Sequence, residues 1–129
     1  MQYLSPADLI AIHALLLSAL GGMPGITEAG FGRLEAAAAV PRASVLGDEA
    51  FVSLPEKAAA LCHAIVRAHP FSDGNKRVAL VALDVFLAQN GHALTASNDE
   101  AYATMMALAQ GTLARAALVA WIERRCVER

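Results

Sequence analysis

A chain of 129 residues suits one compact domain, 1–129, large enough to hold a core without disulfide staples. Apolar residues make up 57% of it but aromatic residues only 5%, and much of the apolar share is alanine and leucine, which favour helix and predict an all-α fold. A formal net charge of −2 and the lack of a general basic surface argue against direct contact with nucleic acid.

The N-terminal MQYLSPADLIAIH has no basic leader region and carries Asp8, so it does not read as a signal peptide. Ser5-Pro6-Ala7-Asp8 has the form of a helix start: a capping serine, a proline in the first turn and an acid that can close a capping box. The helix should run to about Leu20 and stop at Gly21-Gly22, with a loop at Pro24-Gly25. Phe31 to Val40, which includes the alanine tract 36–39, predicts a short helix ended before Pro41, and Asp48 to Ser53 a further helical turn. Ser53-Leu54-Pro55-Glu56 repeats the capping signature. Ala58, Leu61, Cys62, Ile65 and Val66 then form one apolar face. This helix must end near His69, because the residue before a proline is pushed out of the α region.

The next helix begins around Gly74 or Asn75 and ends at Asn90-Gly91. Val78 to Leu87 is apolar almost all round, which places it as the buried central helix of a bundle. Asp84 lies in that run. A buried carboxylate is costly without a partner, so an arginine or a helix N-terminus is expected beside it. His92 to Thr95 reads as a short extended stretch, Ser97 caps a helix ending at Gly111, and Thr112 starts the last helix. Arg124, Arg125 and Arg129, interleaved with Glu123 and Glu128, suit a solvated helix end. Met105 and Met106 fit as core filler. The longest apolar runs are broken by Arg67, Asp84 and Arg115, so no membrane span is expected. Cys62 and Cys126 match no metal-ligand spacing, and reduced thiols fit a cytoplasmic setting.

The stretch AHPFSDGNKRVAL, from Ala68 to Leu80, concentrates the chemistry. It sits where a buried helix starts, and the first N–H groups of a helix are free to bind an anion. Gly74 lets the backbone approach a phosphate, and Lys76 and Arg77 add positive charge. Asp73 would repel a bare phosphate unless a divalent cation lies between them, and Mg²⁺ takes one or two carboxylates together with phosphate oxygens. Mg–nucleotide is therefore a better ligand than a free anion. An imidazole at His69 could take a proton from an incoming hydroxyl, which with a bound triphosphate gives phosphoryl or nucleotidyl transfer. Taken singly, His69 would pass for a core-edge histidine, Asp73-Gly74 for a plain turn, and Lys76 and Arg77 for a solvated helix start. Cations there oppose the helix dipole, however, and together these residues make a site. His13, His63 and His92 read as structural. No HExxH is present and no adjacent His-Asp pair, which disfavours a metal hydrolase.

HPFSDGNKR resembles the HPFx[DE]GN[GK]R motif of the Fic/Doc family, and the lysine after the asparagine is similar to its Doc members. LSPADLIAIH, GGMPG, the arginine two residues before the histidine (Arg67) and FLAQNGH extend the resemblance over most of the chain. It implies an all-α, compact Fic/Doc-type bundle with an ATP–Mg²⁺ site. In that reading His69 is the general base and Asp73 holds Mg²⁺. The Gly74-Asn75-Lys76 backbone with the Asn75 side chain forms the anion hole, Arg77 contacts phosphate, Phe71 anchors the loop and Arg67 is a nucleotide contact. The resemblance further implies a toxin that carries the γ-phosphate of ATP to a threonine of the translation elongation factor EF-Tu, restrained by a Phd-like antitoxin. AMP transfer, as in most Fic enzymes, and a catalytically silent antitoxin-binding module are the alternatives. Leu80 stands where AMP-transferring members often have a second arginine. No internal inhibitory [ST]xxxE[GN] helix is found, since Ser44 to Asp48 contains glycine and ends in aspartate.

Overall fold

A computed structural model describes residues 1–129. Helix α1 spans Pro6–Leu20 and opens with the expected capping box: the Asp8 N–H donates to Ser5 Oγ at 3.1 Å and the Ser5 N–H to Asp8 Oδ2 at 2.8 Å. Helix α2, Glu28–Ala39, starts earlier than the predicted Phe31, because Thr27 caps it through the Gly30 N–H. It runs straight into one 3-10 turn, Val40–Arg42. Pro41 therefore lies within helical backbone, in the first turn of the new element, where its missing N–H is not needed.

The helical turn expected at Asp48–Ser53 is not formed. Strands β1, Ser44–Val45, and β2, Asp48–Glu49, pair as an antiparallel hairpin around Leu46-Gly47. Both turn residues have positive φ, 52° and 88°, the condition of the primed turn that matches strand twist. A leucine in that conformation gives no sequence signal.

Helix α3, Leu54–Ala68, carries the second capping box, between Ser53 and Glu56. Helix α4 is Asn75–Gln89, strand β3 His92–Leu94, and helix α5 Asn98–Gln110, capped by Ser97. Helix α6, Arg115–Arg125, begins after Ala114 rather than at Thr112. The Thr112 and Leu113 N–H groups both donate to Ala107 O, closing the end of α5 instead of opening a new helix. Glu123, Arg124 and Arg125 form the exposed last turn of α6, as expected, but the chain beyond them is not helical. Cys126–Glu128 forms β4, antiparallel to β3 in the register His92↔Glu128, Ala93↔Val127, Leu94↔Cys126. Arg125 Nε pairs with Glu100 Oε2 at 2.6 Å, and the Trp121 indole N–H donates to the same oxygen.

One hydrophobic cluster ties the helices together. In α4, Val78, Ala79, Ala82, Leu83, Phe86 and Leu87 are buried as the central-helix reading requires. Beside it α3 touches still more of the fold, packing on α2, α4, α5, α6 and the 3-10 turn. Ala58, Ala59 and Ala60 leave α3 thin enough for that. Asp84, expected to be buried with a partner, is exposed and needs none. Met105 is fully buried, Met106 half-buried. Burial pushes the free Cys62 thiol up to about 12, which leaves it inert. No helix is long and apolar enough to cross a membrane.

Lys57 is the largest fully buried polar side chain. Its ammonium donates to Phe51 O at 2.6 Å, Glu49 Oε1 at 3.1 Å and Pro41 O at 3.4 Å, stapling the hairpin and the 3-10 turn to α3. Burial alone would lower its pKa, but Glu49 and Tyr3 outweigh that and the net direction is up from 10.5. Its contribution to stability is then complete below the unfolded value and is lost as pH climbs through the folded one. Lys57→Met should leave two carbonyls without a donor and cost about 2–3 kcal/mol, read as a fall in Tm of about 10 °C.

Candidate active site

The site is assembled at the junction of α3 and α4. His69 ends α3 with its N–H still donating to Ile65 O at 3.0 Å, and proline follows it. Held out of the right-handed region by Pro70, it adopts φ 48°, ψ 57°, one of two non-glycine residues with positive φ. That conformation costs about 1–2 kcal/mol and persists because α2 clamps it. Arg33 Nε donates to Ala68 O at 2.8 Å and Arg33 Nη2 reaches His69 O at 3.4 Å. Gly30 packs so closely under Pro70 O that a Cβ would overlap it. Neither Arg33 nor Gly30 stands out in the sequence. The outcome is an exposed His69 side chain on a fixed backbone.

The loop 70–74 is tied from three directions. Phe71 is buried, and its N–H and C=O are both taken by the Asn75 side-chain amide, at 3.0 and 2.9 Å. Asn75 is itself buried. The Asn75 side chain thus shapes the loop, with one of its two amide hydrogens taken by Phe71 O. Residues 25–26 run alongside, with Ser72 N–H donating to Gly25 O and an Ile26↔Phe71 bridge. From α1, the His13 ring stacks on Phe71 at 3.9 Å and an interplanar angle of 12°. His13 Nε2 lies 3.0 Å from Asp73 O. A carbonyl can only accept, so Nε2 carries the hydrogen. His13, read from sequence as merely structural, thus lines the site and positions Asp73.

Asp73 is exposed, and both carboxylate oxygens are oriented: Oδ2 accepts from Met23 N–H at 3.1 Å, Oδ1 from Gly74 N–H at 2.9 Å. These bonds, with smaller help from His13 and Lys76, hold its pKa below the usual carboxylate value. Gly22 is pressed against it; a Cβ there would sit 3.1 Å from Asp73 Oδ2.

Gly74, at φ 83°, then turns the chain into α4. The first N–H groups of α4 meet no side-chain cap, whereas α1, α2, α3 and α5 are all capped by serine or threonine. Lys76 and Arg77 stand exposed at this end. Neither has a carboxylate partner; the two ion pairs of the chain are Lys57–Glu49 and Arg125–Glu100. An uncapped N-terminus and two unpaired cations beside one ionised carboxylate suit an anion bridged by a divalent cation. No cluster of three metal-ligating side chains exists anywhere, so a cation here would need ligands from the anion itself.

These groups open on a cavity of about 490 Å³. His69, Asp73, Gly74, Asn75, Lys76 and Arg77 all line it, and Leu16, Leu17 and Leu20 of α1 give it an apolar part. That volume lies within the usual range for a small-molecule site. Arg67 does not join them. It is exposed and does not line the cavity, because the helical rotation turns its neighbour Val66 inward instead. Burial, then Arg115 and lastly Arg67 lower the pKa of His63, away from the site. His63 and His92 also lie outside the cavity, as expected of structural histidines.

The Fic/DOC family model matches residues 3–87. The chain is 40% identical over 91 residues to "Protein kinase doc" of Escherichia phage P1, across 70% of either chain. It is 39% identical over 98 residues to "Toxin Doc" of Mycolicibacterium smegmatis, across 76% of this chain and 72% of that one.

Proposed function

The chain belongs to the Fic/DOC family, and on that premise we propose that it is a toxin-type protein kinase that moves the γ-phosphate of ATP to a protein hydroxyl. The observation that carries this reading is one cavity shared by an exposed His69, an oriented Asp73 and the uncapped first turn of α4. His69 takes the proton of the incoming hydroxyl. A bond forms between that oxygen and the γ-phosphorus, the bond to the bridging oxygen breaks, and ADP leaves. The backbone of Gly74, Asn75 and Lys76, with the Arg77 guanidinium, holds the phosphates. Asp73 would hold Mg²⁺ together with phosphate oxygens, and Mg²⁺ supplies charge neutralisation of the triphosphate. Little covalent work falls to the protein; positioning and electrostatics carry the rate.

The relative from phage P1 bears the name of a protein kinase, and Lys76 after Asn75 fits the Doc form of the motif. The substrate we favour is a threonine of an elongation factor such as EF-Tu, with translation arrest as the consequence, a Phd-like antitoxin as the restraining partner and the cytoplasm as the setting. The test is a paired assay on cell extract with Mg²⁺. Label from γ-labelled ATP should enter a protein near the mass of an elongation factor, and label from α-labelled ATP should not. Transfer of α-label instead would make the chain an AMP transferase, and transfer of neither would reduce it to a binding module.

A further inference from the structure

Arg77 is an exposed cation on the first turn of α4, and a free arginine side chain there samples many rotamers. Its guanidinium carbon lies 4.5 Å from the centre of the Tyr102 ring, on α5. Both residues line the cavity. Tyr102 lies beyond the residues matched by the family model, which end at 87.

Resting on the phosphoryl-transfer reading above, we propose that Tyr102 is a positioning residue that holds the Arg77 guanidinium over its ring and presents it to the nucleotide phosphates. The geometry has a specific merit. A guanidinium held over an aromatic ring spends no hydrogen bond on it, so its N–H donors stay available for phosphate oxygens. A carboxylate partner would occupy the same edges and cancel the charge; Arg77 has none. Asp99 lies beside the same pair, along a groove shared with Arg77 and Tyr102, yet forms no ion pair with Arg77. The aromatic face therefore restrains the side chain without neutralising it. Tyr102 is half-buried on α5.

Two measurements test this. In the free protein, the Arg77 Nε–Hε resonance should show a ring-current shift and restricted motion, both lost in Tyr102→Leu and kept in Tyr102→Phe. For the Mg–ATP complex, Tyr102→Leu should weaken binding by about three- to thirtyfold, the range of an aromatic–cation contact. Tyr102→Phe should restore most of that loss. In an Arg77→Ala background Tyr102→Leu should cost nothing further, since a positioning effect vanishes with the group it positions. Equal Arg77 mobility in wild type and Tyr102→Leu overturns the inference, as does an undiminished Tyr102→Leu penalty in the Arg77→Ala background. Wild-type Mg–ATP binding with an unaffected Tyr102→Leu overturns the inference alone. Absence of Mg–ATP binding by the wild type overturns both it and the reading of the site.

Discussion

His69→Ala is expected to lower transfer of γ-label by about 10²–10⁴-fold, the range over which a positioned general base contributes. The fold should be untouched, because the His69 side chain is exposed and makes no side-chain hydrogen bond with the protein. Mg–ATP affinity should hardly change if, as proposed, the phosphates meet the first turn of α4 and not the imidazole. A loss in kcat without a loss in nucleotide binding separates a base from a ligand. His69→Gly sharpens the test. It removes the same imidazole but also relieves a left-handed backbone at φ 48°, so it should raise stability by about 1 kcal/mol while remaining inactive. A protein more stable than the wild type and catalytically dead would show that strain is kept at this position for function. Retained transfer in either variant would remove His69 from the mechanism. Growth arrest on expression should follow the same pattern.

What the sequence disclosed was mostly what neighbours in the chain decide. Ser5 with Asp8 and Ser53 with Glu56 are local reciprocal caps, and both formed where they were read. The motif loop likewise placed His69, Asp73, Lys76 and Arg77 around one helix start, because a few residues cannot travel far. What stayed hidden depended on contacts between distant residues. His13 reaches Asp73 across a separation of 60 residues, and nothing in LIAIH announces that hydrogen bond. Arg33 finds the end of α3 from α2, and Tyr102 finds Arg77 from α5. Asn75 could be counted as a donor, but only the folded loop shows that its amide also brackets Phe71. The β1–β2 hairpin escaped for a different reason: its turn puts Leu46 at a φ that leucine rarely takes. Arg67 lies apart from the other predicted site residues. It is two residues from His69 on the chain, yet Val66 and not Arg67 lines the cavity.

Asp73 carries the second large effect. Asp73→Asn is expected to abolish the dependence of ATP affinity on Mg²⁺ and to lower phosphoryl transfer by at least the 10–100-fold that loss of a mere supporting group costs a metal site. The amide fails twice. It lacks the charge, and it cannot accept both N–H bonds that now orient the carboxylate. One of Met23 and Gly74 would face the new NH₂ donor against its own, so the loop loosens as well. Titrating Mg²⁺ into ATP complexes of the two proteins at neutral pH distinguishes these: wild-type affinity should climb with Mg²⁺, the variant's should stay flat, and a chelator should reduce wild-type transfer to the variant's level. The pH response follows from the same two bonds. Met23 N–H and then Gly74 N–H hold the Asp73 pKa below 3.8. The stability this adds is present above the unfolded value and is lost as pH falls through the folded one. Asp73 itself should therefore stay ionised, and able to hold a cation, throughout the range in which ATP keeps its charge. Persistent Mg²⁺ dependence in Asp73→Asn would mean that Asp73 is not the group that holds the cation.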